Sequence, residues 1–137
     1  MTILVSACLL GCKCRYNGND SFNKKVVELY GKDALRACPE QIGGLSTPRE
    51  SAEIVGDRVL TEAGEDLTEA FECGAERTLY IAQSAGVKRA ILRHNSPSCG
   101  CGRVYDGTFT GRLADGYGVT ARLLMANGIE CVSDDSI

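Results

Sequence analysis

Three short apolar runs in this chain lead directly into a cysteine, and that pattern constrains the fold more than any other feature. Ile3-Leu4-Val5 passes through Ser6 and Ala7 into Cys8, Leu35 and Ala37 precede Cys38-Pro39-Glu40, and Ala90-Ile91-Leu92 opens onto the loop Asn95-Ser96-Pro97-Ser98-Cys99-Gly100-Cys101-Gly102. Each run has the length and content of a buried strand, and the last is bounded by a Ser/Pro/Gly turn signal. Helical patterns between the runs predict that they pair in parallel. Cys8, Cys38 and Cys99 then gather at the strands' carboxyl ends, where open α/β sheets bind ligands.

The segments between these runs fill in the architecture. Leu9 to Ser21 carries Gly11, Asn17-Gly18, Asp20 and Ser21 and reads as a loop that bears Cys12, Cys14, Arg15 and Tyr16. Asn23 to Tyr30 places Val26, Val27 and Tyr30 on one helical face, with Gly31 as its stop. Gln41 to Glu50, rich in Gly, Ser, Thr and Pro, predicts a loop over the carboxyl edge that presents Arg49. Ala52 to Leu60 predicts a hairpin around Gly56-Asp57. Asp66 caps a helix expected over Leu67 to Ser84, with Leu67, Phe71, Ala75, Leu79 and Ala82 facing inward. Tyr105-Asp106-Gly107-Thr108-Phe109 predicts a hairpin turn, and glycine-rich Gly111 to Gly118 leads into a helix over Val119 to Ala126 and a last strand over Ile129 to Val132. Strand and helix alternate throughout, which predicts a three-layer α/β/α, Rossmann-like arrangement around a small, mostly parallel sheet. A chain of 137 residues has room for one such domain, expected over 1–137.

Composition narrows the chemistry. No apolar run approaches the roughly 20 residues of a membrane span. Val5-Ser6-Ala7-Cys8 lacks the basic residue and long apolar stretch of an export signal, so the expected location is the cytoplasm. Eight cysteines in such a chain point to metal or thiol chemistry rather than to disulfides, because cytosolic thiols are kept reduced. One histidine, His94, is too few for the usual mixed zinc motifs, and thiolate-rich sites favour iron-sulfur clusters or all-cysteine zinc. Cys73 and Cys131 fall inside helix and strand patterns and read as packing residues. Gly116-x-Gly118 offers a candidate anion site at the start of the last helix. The formal net charge of −3 argues against a broad nucleic-acid footprint and for a small-molecule substrate.

Several motifs in fixed order carry a resemblance. Val5-Ser6-Ala7-Cys8-Leu9-Leu10-Gly11 is followed by Arg15-Tyr16-Asn17-Gly18, Cys38-Pro39-Glu40, Gly44-Leu45, Pro48-Arg49, Ser96-Pro97-Ser98-Cys99-Gly100 and Tyr105-Asp106-Gly107-Thr108-Phe109. Together they resemble the small bacterial family that contains the iron-sulfur-dependent thiouracil desulfidases, over about Thr2 to Gly128. The resemblance implies a 4Fe-4S cluster held by Cys8, Cys38 and Cys99 with one iron lacking a protein ligand. It further implies non-redox removal of sulfur from a thionated pyrimidine, with Glu40 and a serine of the Ser-Pro-Ser-Cys loop serving the reaction.

Ser96 is the favoured serine, and Ser98 is retained beside it. Glu40, two residues from a ligand, is placed to deprotonate water, because like charge and desolvation raise a carboxylate's pKa toward the range of a working base. Arg15, Tyr16 and Arg49 come from loops at the same edge and are expected to bind the pyrimidine. A free base or nucleoside is favoured over a thionucleoside within tRNA. Cys12, Cys14 and Cys101 fall outside the motifs that carry the resemblance, and Cys101 or Cys12 as a ligand of the fourth iron would close the site, as in an electron carrier or scaffold. Two other readings stay open at this point: a non-catalytic zinc or closed-cluster protein, and a thiol-based sulfur carrier.

Overall fold

A computed structural model describes residues 2–137. Its centre is a sheet of four parallel strands, β1 (Ile3–Ser6), β2 (Ala34–Ala37), β5 (Arg89–Leu92) and β8 (Glu130–Ser133), in the order β2-β1-β5-β8. Leu4, Val5, Ala90, Ile91 and Leu92 are buried, as expected for central strands covered on both faces. The chain passes from β1 outward to β2 and returns to the opposite side of β1 at β5. A crevice therefore opens between the carboxyl ends of β1 and β5, where the winding reverses.

One face of the sheet is covered by α3 (Thr68–Ser84) and α4 (Val119–Ala126), with Leu4, Ala82, Val87, Ala90, Leu92, Ala121, Leu124 and Ile129 sharing one core. The other face packs Val5, Leu9 and Ile91 against Val26 of α1 (Lys24–Tyr30). Helices on both faces give the expected three layers. Asn23 caps α1 by accepting the Val26 N–H at 3.1 Å, and Asp66 accepts the Thr68 N–H at 2.9 Å at the start of α3.

Two antiparallel hairpins flank the sheet: β3 (Ala52–Val55) with β4 (Arg58–Thr61), and β6 (Cys101–Tyr105) with β7 (Leu113–Tyr117). The first hairpin docks through Ala52 and Val59 onto Phe71 of α3. The structure departs from the sequence reading in two places. Gly111 to Gly118, expected as a glycine-rich lead-in, contains β7, because pairing with β6 from Cys101↔Tyr117 to Tyr105↔Leu113 overrides weak local propensity. The stretch expected as loop from Gln41 begins inside a short helix, α2 (Pro39–Ile42), with Pro39 at its first turn.

Glycines at positions 43 and 74 let α2 lie directly on α3. A Cβ on Gly43 would strike the Ala70 carbonyl, and one on Gly74 would strike the Pro39 carbonyl. This close backbone approach fixes α2, and with it Cys38 and Glu40, against the long helix.

Candidate active site

A cavity of about 340 Å³ opens over the carboxyl ends of the strands, within the size range of small-ligand sites. Cys8, Cys38 and Cys99 all line it, as do Glu40, Ser96, Arg15, Tyr16 and Arg49. Cys8 sits in a 3-10 turn (Ala7–Leu10) that continues β1, and Cys38 directly follows β2 at the start of α2. Cys99 lies in the loop after β5 and is 5% exposed. The three strand-end thiols come from three separate segments and meet only in the folded chain.

The surroundings of Cys38 and Cys99 favour the protonated thiol. Burial pushes Cys99 up to about 12, and the Cys14 thiol together with burial raises Cys38. A metal centre that replaces those protons reverses this preference, since a coordinating thiol is deprotonated outright. Without one, such thiols are poor nucleophiles, which disfavours a metal-free sulfur carrier.

The donor set fits an iron-sulfur cluster: three cysteine thiols from three segments line one crevice, and thiolates are the ligands such clusters take. His94 does not complete a zinc set through Nδ1, because that atom is 2.8 Å from Asp134 Oδ1.

Glu40 lies in α2 with Oε1 3.1 Å from Arg49 Nε. Its pKa is raised by desolvation, and the Arg49 guanidinium opposes that rise. Arg49 is only 7% exposed in its side chain and donates further to Ser46 O at 3.1 Å, Thr47 Oγ1 at 3.0 Å and Cys14 O at 3.0 Å. It is a clamp that holds Glu40 and the Cys14 loop together, with little donor capacity left for a pyrimidine. Arg15 and Tyr16 remain at the cavity mouth, the guanidinium 5.8 Å from the Tyr16 ring centroid.

The two serines of the loop are placed differently. Ser96 Oγ accepts the N–H groups of Ser98 at 3.1 Å and Cys99 at 3.0 Å, closing the turn while leaving its own proton free to donate. Ser98, expected at the substrate, is 1% exposed and lies outside the cavity lining, with Oγ 2.9 Å from Thr120 Oγ1. It anchors the loop to α4.

The expected anion site at Gly118 is occupied by the protein itself. Val119 N–H donates to Pro97 O at 2.8 Å, and those of Thr120 and Ala121 donate to Ser98 O at 2.9 and 3.2 Å. A Cβ on Gly118 would collide with the Ser98 carbonyl, so the glycine serves close docking of loop on helix.

Sequence reasoning missed two features of the rim and wall. His94 lines the cavity, with its ring and its backbone N–H both on buried Asp134. Cys14, left unplaced from sequence, also lines the cavity and is 4% exposed. No local signal separates Cys14 from Cys12; only the loop's path does.

These features define an α/β protein with a strand-end thiol crevice built for a soft inorganic centre, a held carboxylate and a hydroxyl beside it. The chain belongs to the 2-thiouracil desulfurase family, whose profile matches residues 3–136. It is 44% identical over 146 aligned positions to the uncharacterized protein YbbK of Bacillus subtilis (strain 168), covering 98% of this chain and 97% of that one. It also matches a solved structure described as the [4Fe-4S]-dependent thiouracil desulfidase TudS (DUF523Vcz). That match has a TM-score of 0.92 and 42% identity, over 99% of this chain and 92% of the other.

Proposed function

We propose that the chain is a thiouracil desulfidase in which Cys8, Cys38 and Cys99 hold a 4Fe-4S cluster, and that it converts a thionated pyrimidine to its oxo form with release of hydrosulfide. The convergence of those three thiols with Glu40 and Ser96 on one cavity carries this reading. A bound cluster supplies a soft Lewis acid for the thiocarbonyl sulfur.

The chain's own groups do the rest. Glu40 accepts a proton from the water that attacks the carbon bearing sulfur, and its buried setting makes it a stronger base than a surface carboxylate. Arg49 fixes one carboxylate oxygen and leaves Oε2 for that water. Ser96, with its oxygen held by two backbone donors, offers its proton to a ring heteroatom or to the forming oxygen. Arg15 and Tyr16 at the mouth supply a donor fork and a flat face for the pyrimidine. Water's oxygen replaces sulfur and the carbon keeps its oxidation state, so the step consumes no electrons. The net charge of −3 favours a free base or nucleoside over tRNA.

The deciding measurement is iron and acid-labile sulfide content of protein purified without oxygen, with a visible spectrum and uracil and hydrosulfide assays on adding 2-thiouracil. Matching iron and sulfide, a spectral change and both products are expected. Zinc in place of iron, or a cluster that leaves thiouracil intact, would sink the proposal.

A further inference from the structure

Unfavourable backbone conformation in this chain gathers at the cavity. Among the described residues two non-glycine positions have positive φ, Asn95 at 62° and Phe109 at 59°, and both line the cavity. Asparagine tolerates that conformation, whereas a bulky side chain keeps it only when its surroundings hold it there. Core packing does not account for Phe109. Its side chain is half-buried and joins none of the apolar clusters that form the core of the described residues.

The contacts that hold it come from another hairpin. Phe109 lies in the loop 106–112 between β6 and β7, and Glu53 of β3 reaches across to that loop. Glu53 Oε1 accepts the Gly107 N–H at 3.0 Å and the Phe109 N–H at 3.2 Å. A Cβ on Gly107 would strike the Ile54 carbonyl, so the loop lies directly on β3. Within the loop, Asp106 Oδ1 accepts the Thr108 N–H at 3.0 Å, and the Asp106 N–H donates to Arg112 O at 2.9 Å. A strained residue with no core to fill is thus fixed in the wall of the cavity.

We propose that Phe109 is the residue on which the pyrimidine ring stacks and that Glu53 is the positioning residue that holds it there, an inference that rests on the desulfidase reading of the same cavity. A pyrimidine is a flat π ring, and stacking on an aromatic side chain recognises the ring without reading its substituents. Phe109 therefore selects an unsaturated ring, whichever carbon bears the sulfur. Its held backbone presets the wall before substrate arrives, so little freedom is lost on binding.

The test is steady-state kinetics on anaerobic holoprotein with 2-thiouracil and with 5,6-dihydro-2-thiouracil, whose reduced ring is puckered but carries the same thiocarbonyl. Phe109→Leu is expected to raise KM for 2-thiouracil about 10-fold with kcat nearly unchanged, the worth of one stacking contact. The cluster spectrum and KM for the dihydro compound stay as in wild type, and Phe109→Tyr restores the 2-thiouracil KM. Glu53→Ala reproduces the rise, whereas Glu53→Gln, whose carbonyl still accepts both N–H groups, does not. Phe109→Gly relieves the positive φ and keeps or raises the denaturant midpoint while raising KM. A wild-type KM in Phe109→Leu, an equal rise for both substrates, or a lowered midpoint in Phe109→Gly assigns the residue to packing and overturns the proposal. A wild-type KM in Glu53→Ala overturns the positioning role. Wild-type holoprotein that leaves 2-thiouracil intact overturns instead the desulfidase reading on which the proposal rests.

Discussion

In the proposed mechanism, Glu40 and the Arg49 that holds it form the pair on which turnover depends most directly. Replacing Glu40 with Ala removes the base but touches no thiol, so the cluster spectrum stays and kcat falls by about 10²–10⁴-fold, the usual worth of a positioned base. Arg49→Met acts in a different way. The guanidinium lowers the pKa that burial has raised, so losing it lets the Glu40 pKa climb further. A base works as its carboxylate, above its pKa; the acid limb of the kcat profile therefore moves to higher pH in Arg49→Met, and a pH–rate series on the two proteins measures it. The position of Glu40 beside Cys38 is plain in the sequence. Its clamp is not, because Arg49 is nine residues away and its other partners include Cys14, thirty-five residues away.

At the level of elements, two backbone contacts set the site. The α2–α3 crossing tolerates no Cβ at position 74, so Gly74→Ala forces α2 off the long helix and shifts Cys38 and Glu40 with it. The expected cost is about 1–3 kcal/mol, the range for overpacking, read as a lower denaturant midpoint with reduced iron content. The second contact is the loop on α4, where Ser98 and Thr120 exchange a buried hydrogen bond. Thr120→Val leaves the Ser98 hydroxyl unpaired and costs about 1–3 kcal/mol in chemical denaturation. Helix α3 was legible from its apolar stripe and β5 from its content, and both lie where expected. The short α2 was hidden by the Gly/Ser/Thr/Pro composition of the stretch that follows it. Strand β7 was hidden because its stability comes from a partner strand, not from its own residues.

In the whole molecule, a cluster held as proposed by Cys8, Cys38 and Cys99 would tie together segments that are distant in sequence. Cys8, Cys38 and Cys99 belong to the turn after β1, the start of α2 and the loop after β5, so a group bound by all three stabilises the folded chain and has little to bind in the unfolded one. Removing iron under anaerobic conditions should therefore lower the Tm, and reconstitution should restore it, as followed by circular dichroism. Among the described residues no helix is long and apolar enough to cross a membrane. The sequence by itself determined the strand-helix alternation, the three cysteines at strand ends and the acidic net charge, because these are local patterns of residue type and spacing. Tertiary structure alone decided that Cys14 enters the crevice while Cys12 and Cys101 do not. It also decided that Ser98 is buried against Thr120 rather than lining the cavity, and that Arg49 holds Glu40. Each of those outcomes depends on which segments meet across the fold, and one-residue spacings such as Cys12-x-Cys14 send side chains to opposite surroundings only once the loop's path is set.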